Sequence, residues 1–428
     1  MKTPKKYTRL FLVLLGCAFW RCIYNISTLE DTSRKISDES LFSPDFDIPA
    51  SLQNPPWIQQ YISFHKSSIE NGTLKSGSPY LIYQCNDGGA GKLCGGAGDR
   101  LIGMIKLLYV AICTNRVFFI DSPFPIPLNQ VLNPSHIQWD AEFPKTSLEI
   151  DSLLYENPPK VDKTIIGYRV IKTNGIPRKQ SLDDILKSKC MEKHFEKNGW
   201  AMDFPKLDFA TAAHQAFWAM FQFDEAVVST AKELKIHANV TDPYIGLHVR
   251  KGDKAMVGVR QKKGFERKKL TASVFQCYHR VQSTFPNTFF TGAYLAADHY
   301  DTKSAMARTD PSIHYAQKVH AFHIDKESRS VEKRKKLLKK DIYQGVVETW
   351  AEMLVLAESK CLVISKSMFA FSAYYIRGPK ACNVYLPLCD KPGEVESTSK
   401  VYHVENIFRA GFRAGSWKKA LHHNDTIL

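Results

Sequence analysis

The feature that most constrains this chain is an abrupt change of character between Tyr244 and Lys254. Residues 243–249 are largely apolar and β-branched, which predicts a buried strand. Gly252 then permits a tight turn within a charged run, which is made of Arg250, Lys251, Asp253 and Lys254. Because ligands of an open α/β sheet bind outside the carboxyl ends of its strands, this pattern predicts a phosphate-binding site. A solvated loop after a core strand is the alternative.

The length and charge of the chain narrow its class. At 428 residues it is too long for one ordinary hydrophobic core, so two domains are expected. Its 58 basic residues outnumber the 43 acidic ones and give a net charge of +15, which favours an anionic partner. Nucleic acid, a membrane surface and a phosphorylated substrate all satisfy that requirement.

The N-terminal residues indicate the compartment. A basic segment precedes an apolar run from Leu10 to Trp20, and this run lacks a small-x-small cleavage site. We interpret it as an uncleaved signal anchor with its basic end in the cytoplasm, and a cleaved signal peptide is the alternative. Its short span suits the thin membranes of the early secretory pathway. The expected order is a cytoplasmic tail and anchor over residues 1–26, then a polar stem over residues 27–54.

Glycosylation sequons support a lumenal location for the rest of the chain. They occur at Asn25, Asn71, Asn239 and Asn424, and we predict glycosylation at the last three. A lumenal location excludes nucleic acid as the partner of the basic charge.

The cysteines are expected to form disulfides rather than a metal site. The predicted local pairs are Cys85 with Cys94, and Cys382 with Cys389. Cys113 and Cys361 lie in apolar runs and are predicted to be plain core thiols. No spacing matches a zinc site, so no metal is predicted.

A glycine-rich segment lies between a predicted strand at residues 80–84 and an apolar helix at residues 101–114. A strand at residues 117–120 follows. This order predicts the βαβ unit of a parallel sheet. Glycines before a helix N-terminus let backbone N–H groups approach an anionic ligand, although a plain tight connection explains them equally well. The candidate residues of this turn are Gly95, Gly96, Gly98, Asp99 and Arg100.

The second half of the chain repeats the alternation of strand and helix, which predicts a second doubly wound domain. A strand at residues 293–297 ends in Asp298, and a strand at residues 361–364 ends in a serine turn. Ser365 and Ser367 precede a helix predicted from residue 368, and serine hydroxyls with free N–H groups predict a second anion site.

The region between these motifs is less informative. Residues 181–189 and 209–234 have the pattern of helices. We expect two Rossmann-like domains, over residues 55–238 and 239–428.

Four of these segments resemble, in order, motifs of the α1,2-, α1,6- and protein O-fucosyltransferases. Residues 95–101 resemble the glycine-rich turn of that family, and His248-Val-Arg250 resembles its His-x-Arg motif. Residues 293–298 and 345–376 resemble the two motifs that follow. The resemblance implies a GT-B fold, in which two Rossmann-like α/β domains with parallel sheets face each other. It also implies an inverting transfer of fucose from GDP-fucose with no metal and no other cofactor. Together with the anchor and the sequons, it predicts a glycan or glycoprotein acceptor at the lumenal side of the Golgi membrane.

The resemblance also assigns roles to individual residues. Arg250 would offset the negative charge that develops on the β-phosphate of the departing GDP. His248 would contact the diphosphate or the ribose, and Asp298 the guanine or the ribose. The remaining donor contacts would come from Lys254, Ser365 and Ser367. The first domain would hold the acceptor and the second the nucleotide sugar.

The catalytic base is not assigned by the resemblance. An inverting transfer to a hydroxyl normally uses a carboxylate base, and Asp99 and Asp253 are the candidates. Asp253 can equally orient the arginine of the motif through a salt bridge. Lys251 and His299 stand where the α1,6 enzymes carry an arginine and an acid, and the proposed base of those enzymes falls near Gly258.

Two other functions are compatible with the same motifs. One is transfer of another nucleotide-activated sugar, or of fucose to protein. The other is a lumenal glycan-binding protein that kept the fold without turnover.

Overall fold

The computed structural model describes these residues of the chain: 55–71, 79–85, 95–142, 170–174, 182–200, 209–250, 264–317, 322, 339–365, 367–379 and 381–385. The strands are β1 (Tyr80–Gln84), β2 (Val117–Asp121), β3 (Leu132–Pro134), β4 (Val170–Asn174), β5 (Phe221–Phe223), β6 (Ile245–Val249), β7 (Ala293–Ala297), β8 (Ile313–His314), β9 (Cys361–Ile364) and β10 (Cys382–Tyr385). The helices are α1 (Pro56–Glu70), α2 (Ala97–Thr114), α3 (Leu182–Leu186), α4 (Lys189–Lys197), α5 (Phe209–Met220), α6 (Glu225–His237), α7 (Gly264–Thr284), α8 (Tyr300–Thr309), α9 (Lys339–Glu358) and α10 (Met368–Arg377).

The first sheet has three parallel strands in the order β2-β1-β4. Residues 80–83 and 117–120 are buried, which matches the continuous apolar runs of strands covered on both faces. Helix α2 connects β1 to β2 and is apolar on nearly every side. Its residues from Leu101 to Ile112 are all buried, as expected for a helix enclosed by the core.

The second sheet has five parallel strands in the order β10-β9-β6-β7-β8. Counted from β6 and read from the β8 edge, this is the order 3-2-1-4-5 of a Rossmann sheet. Strands β6, β7 and β9 are buried along their whole length. The predicted α/β class with parallel sheets is confirmed.

The two halves of the chain contribute to one large hydrophobic cluster, whose buried side chains include Leu108, Phe217, Trp350 and Phe371. Helix α10 packs against α2 and α5, which both come from the first half. The C-terminus of α10 is also bonded to α5, because Nε1 of Trp218 donates to the carbonyl oxygen of Ile376 at 3.0 Å. The domain boundary at residue 238 stays a prediction.

The single helix predicted over residues 209–234 is wrong in its middle. Helix α5 ends at Met220, and Phe221–Phe223 pairs antiparallel with Leu132–Pro134. Helix α6 then begins after Asp224, whose side chain accepts a hydrogen bond from the backbone N–H of Ala226 at 2.9 Å. The N-cap at this aspartate starts a new helix at a point where the hydrophobic pattern alone predicted that one helix continues.

Two disulfide bonds join the described residues, Cys113–Cys190 and Cys361–Cys382. The predictions of core thiols at Cys113 and Cys361, and of a bond between Cys382 and Cys389, are therefore wrong. Cys361 and Cys382 are the first residues of β9 and β10 and are aligned in the sheet, which brings their Cα atoms to 4.6 Å. That separation is within the range that a disulfide spans.

Several predictions fall on residues outside the described ranges. They include the anchor and stem at residues 1–54, the sequon at Asn424 and the thiol of Cys94. Cys85 is disulfide-bonded. Within the described ranges, no helix is both long enough and apolar enough to cross a membrane.

Candidate functional site

The strand order of the second sheet reverses between β6 and β9, which lie side by side. Doubly wound sheets bind their ligands outside the carboxyl ends of the strands at such a reversal. The polar residues at these strand ends are His248 on β6, Arg250 just after β6, Asp298 after β7 and Ser365 after β9. All four were predicted donor-binding residues, and the structure brings them to the same edge of one sheet.

His248 and Ser365 are in direct contact. Nδ1 of His248 lies 2.6 Å from Oγ of Ser365, and the imidazole ring packs against Phe369 with centroids 5.5 Å apart. Burial, together with the positive charges of Arg250 and Lys303, lowers the pKa of His248 to about 3. The ring is therefore neutral near pH 7. Because Nδ1 is engaged by Ser365, Nε2 is the nitrogen that can face a ligand.

Arg250 is held at the strand edge by Asp298. Nε of Arg250 lies 3.6 Å from Oδ2 of Asp298, so the arginine that follows β6 is paired with the aspartate that follows β7. The side chain of Asp298 is 4% exposed and that of Arg250 is 26% exposed. The carboxylate thus lies behind a guanidinium group that reaches solvent, where planar donors suit the oxygens of a diphosphate.

A buried ion pair that the sequence did not predict lies near His248. Nζ of Lys303 in α8 lies 2.7 Å from Oε1 of Glu352 in α9, and the side chains are 2% and 9% exposed. The charge of Lys303 also acts on His248. One signal for this pair was present in the sequence, since Glu352 interrupts an apolar stretch between Trp350 and Met353.

The two serines of the predicted anion site have different partners. The hydroxyl of Ser367 caps α10 by accepting a hydrogen bond from the backbone N–H of Phe369 at 3.3 Å. The hydroxyl of Ser365 contacts His248. One serine therefore starts the helix, and the other belongs to the cluster at the strand ends.

The glycine-rich turn is held together by the two charged residues at its end. Gly95 has a φ of +80°, a left-handed conformation that favours glycine. Asp99 accepts a hydrogen bond from the backbone N–H of Gly96 at 3.2 Å, and Nε of Arg100 donates to the carbonyl oxygen of Gly95 at 3.1 Å. Nη1 of Arg100 also donates to the carbonyl oxygen of Phe124. Asp99 and Arg100 thus shape this turn and tie it to the loop after β2.

The glycine-rich turn and the serine turn meet at Gly98. A Cβ atom on Gly98 would overlap the carbonyl group of Met368 and would lie 2.7 Å from the backbone nitrogen of Phe369. Oγ of Ser372 donates to the carbonyl oxygen of Met368 at 2.9 Å and lies 3.4 Å from that of Gly98. The N-termini of α2 and α10, which both begin at predicted anion sites, therefore touch.

Other predicted site residues are placed as follows. Asp253 and Lys254 lie outside the described residues. Asn71 follows α1 and Asn239 follows α6, and both are exposed. Across the ranges that the structure describes, no three His, Cys, Asp or Glu side chains are grouped to hold a metal ion.

No protein-family model and no curated protein sequence matches the chain. Among solved structures, a mutant of Arabidopsis thaliana FUT1 in complex with GDP is 15% identical, covers 77% of this chain and 78% of its own, and has a TM-score of 0.44. Fucosyltransferase NodZ from Bradyrhizobium is 12% identical, covers 69% of this chain and 93% of its own, and has a TM-score of 0.40. POFUT1 in complex with GDP-fucose is 11% identical, covers 72% of this chain and 98% of its own, and has a TM-score of 0.34. These three are fucosyltransferases, the family that the motifs resemble, and the likeness is remote.

Proposed function

We propose that this chain is an inverting fucosyltransferase that transfers fucose from GDP-fucose to a hydroxyl group of a glycan. The proposal is carried by one observation, the cluster of His248, Arg250, Asp298 and Ser365 at the strand reversal of a Rossmann-ordered sheet. A nucleoside diphosphate bound at that edge would lie against a guanidinium group and a neutral imidazole. The cluster joins donors for phosphate oxygens to a carboxylate for the nucleoside.

Arg250 supplies the charge that this reaction needs. In an inverting transfer the acceptor oxygen attacks the anomeric carbon from the face opposite the diphosphate, and the bond to the β-phosphate oxygen breaks with its electron pair leaving on GDP. A guanidinium group at 26% exposure, held by Asp298, is preorganised to meet that charge. In this proposal the arginine replaces a metal ion as the electrophile.

His248 binds the diphosphate as a neutral donor. If the hydroxyl of Ser365 donates to Nδ1, the proton of the neutral ring resides on Nε2, which then donates to a phosphate oxygen. Asp298 accepts hydrogen bonds from the guanine or the ribose. We further propose, from the N-terminal sequence and the sequons, that the protein is a type II membrane protein of the Golgi with its site in the lumen.

The test uses the full-length protein in detergent with GDP-fucose and EDTA, and follows GDP release and GDP-fucose binding. Arg250→Ala and Arg250→Lys are each expected to lose roughly 100-fold or more in turnover, since lysine keeps the charge but not the planar pair of donors. Arg308→Lys, at an exposed position of α8, is the matched control and keeps wild-type turnover.

The outcomes separate the alternatives. Full activity of Arg250→Lys contradicts the role of the guanidinium group. Binding of GDP-fucose without turnover favours a glycan-binding protein of the same fold, and faster turnover of GDP-mannose or UDP-galactose assigns another donor. An absence of GDP-fucose binding overturns the proposal.

A further inference from the structure

The first sheet presents polar residues at its carboxyl edge, as the second sheet does. Gln84 ends β1, Asp121 ends β2 and Asn174 ends β4, and the three are aligned in register across the sheet. Nε2 of Gln84 donates to Oδ2 of Asp121 at 2.8 Å, and both residues are half-buried. This orients one oxygen of the carboxylate and leaves Oδ1 as the oxygen that a ligand can approach.

Direct contacts connect this edge to the edge of the second sheet. Asp121 leads into the loop that contains Phe124, whose carbonyl oxygen accepts a hydrogen bond from Arg100. Arg100 lies in the first turn of α2, and Gly98 of the same turn is packed against Met368, just after the serine turn. The carboxyl edges of both sheets therefore border the place where α2 and α10 meet.

The other carboxylates near this place, among the residues that the structure describes, already have partners. Asp99 accepts the backbone N–H of Gly96, Asp298 pairs with Arg250, and Glu352 pairs with Lys303. The side-chain partner of Asp121 within the described ranges is a neutral amide, so no paired cation offsets its charge. A carboxylate of this kind is the group that a general base for a hydroxyl requires.

We propose that Asp121 is the acceptor-side base of the transfer and that Gln84 is its positioning residue. This rests on the proposed function. The acceptor hydroxyl binds to Oδ1 of Asp121, and its oxygen forms the new bond to the anomeric carbon of fucose. The bond from that carbon to the β-phosphate oxygen breaks, GDP leaves with the electron pair, and the hydroxyl proton passes to Asp121. Protons and charge balance without a further reactant.

The test compares Asp121→Asn, Asp121→Ala and Gln84→Leu in the full-length protein. GDP release from GDP-fucose is measured with water and with released N-glycans as acceptors, and GDP-fucose binding is measured by calorimetry. Asparagine can still accept the hydrogen bond of Gln84, so Asp121→Asn is expected to bind GDP-fucose within about 2-fold of wild type and to lose roughly 100- to 10,000-fold in turnover. Asp140→Asn, an exposed acid of the same half, is the control and keeps wild-type rates.

Two further measurements distinguish catalysis from a structural role. Formate can enter the space left by Asp121→Ala and accept the proton, so it is expected to restore part of the turnover of that variant. Gln84→Leu is expected to lower kcat by about 10-fold without changing the KM for GDP-fucose, since it removes one hydrogen bond to the carboxylate. Formate does not rescue this variant.

The outcomes also distinguish a failure of the Asp121 proposal from a failure of the fucosyltransferase proposal on which it rests. Wild-type turnover by Asp121→Asn overturns the assignment of Asp121 and leaves the fucosyltransferase proposal standing. A parallel loss of GDP-fucose binding in Asp121→Asn means that the residue is structural, which also overturns it. If the wild-type protein neither binds nor turns over GDP-fucose, both proposals fall.

Discussion

Nδ1 of His248 and Oγ of Ser365 lie 2.6 Å apart, although 117 residues separate them in the chain. The contact joins the ends of β6 and β9, the neighbouring strands between which the order of the second sheet reverses. It is therefore made at the position where a doubly wound sheet binds its ligand.

Removal of the Ser365 hydroxyl is predicted to weaken GDP binding. Ser365→Ala leaves Nδ1 of the buried imidazole without its partner, so the ring loses the contact that orients it. We expect the Kd for GDP to rise by about 5- to 15-fold, the equivalent of ~1–1.5 kcal/mol for one hydrogen bond. Calorimetric titration of GDP measures it. Ser283→Ala removes an exposed hydroxyl of α7 and is the control, and equal affinities in the two variants would contradict the prediction.

The stability of the protein is predicted to fall as the pH is lowered below about 6.5. The folded-state pKa of His248 is about 3 and that of the buried His65 is about 4, because burial lowers both from the ordinary histidine value of 6.5. In the window between these values and 6.5, the unfolded chain takes up protons that the folded chain does not, so the free energy of unfolding decreases with falling pH. Each histidine contributes a slope of up to about 1.4 kcal/mol per pH unit.

Urea denaturation between pH 7 and pH 4 tests this dependence. His248→Gln and His65→Gln each remove one such contribution, so each variant is expected to show a shallower pH dependence than the wild type. An unchanged slope in His248→Gln would show that folding does not lower the pKa of this ring.

Gly98→Ala is predicted to disturb the junction of α2 and α10. The added methyl group would overlap the backbone carbonyl of Met368, and backbone cannot move aside as a side chain does. We expect a loss of roughly 1–3 kcal/mol in the free energy of unfolding, typical of overpacking, together with weaker GDP binding. Gly96→Ala is the matched control, because its Cβ would make only an ordinary contact with Oδ2 of Asp99 at 3.9 Å and its φ is −69°. Equal free energies of unfolding in the two variants would show that the contact between α2 and α10 tolerates a Cβ atom at position 98, which would contradict the prediction.

The elements around the site were predictable because their signals are local. Strands at residues 245–249 and 293–297 appear as short apolar runs that end in polar residues, and a parallel sheet places such ends at one edge. The cap at Asp224 was also visible in the sequence as an aspartate followed by a glutamate, a start signal that the apolar pattern obscured.

Contacts that depend on strand order were not predictable. Cys361 bonds to Cys382 because β9 and β10 are neighbours in register, and no local spacing reveals that pairing. The orientation of Asp121 by Gln84 likewise follows from the register of β1 with β2. Asp99 was a candidate base by residue type alone, and its bond to the backbone of Gly96 appears only when the turn is folded.

Breaking the ion pair of Lys303 and Glu352 by removing one partner is predicted to destabilise the protein strongly. Their charged atoms lie 2.7 Å apart with side chains only 2% and 9% exposed, so Lys303→Met leaves a buried carboxylate without its cation. We expect a loss of about 3–5 kcal/mol in the free energy of unfolding by urea, whereas the double variant Lys303→Met with Glu352→Gln recovers much of it because no lone charge remains. Lys66→Met breaks the exposed pair with Glu70 and is expected to cost less than about 0.5 kcal/mol. A double variant no more stable than Lys303→Met would mean that packing, rather than charge, determines the loss.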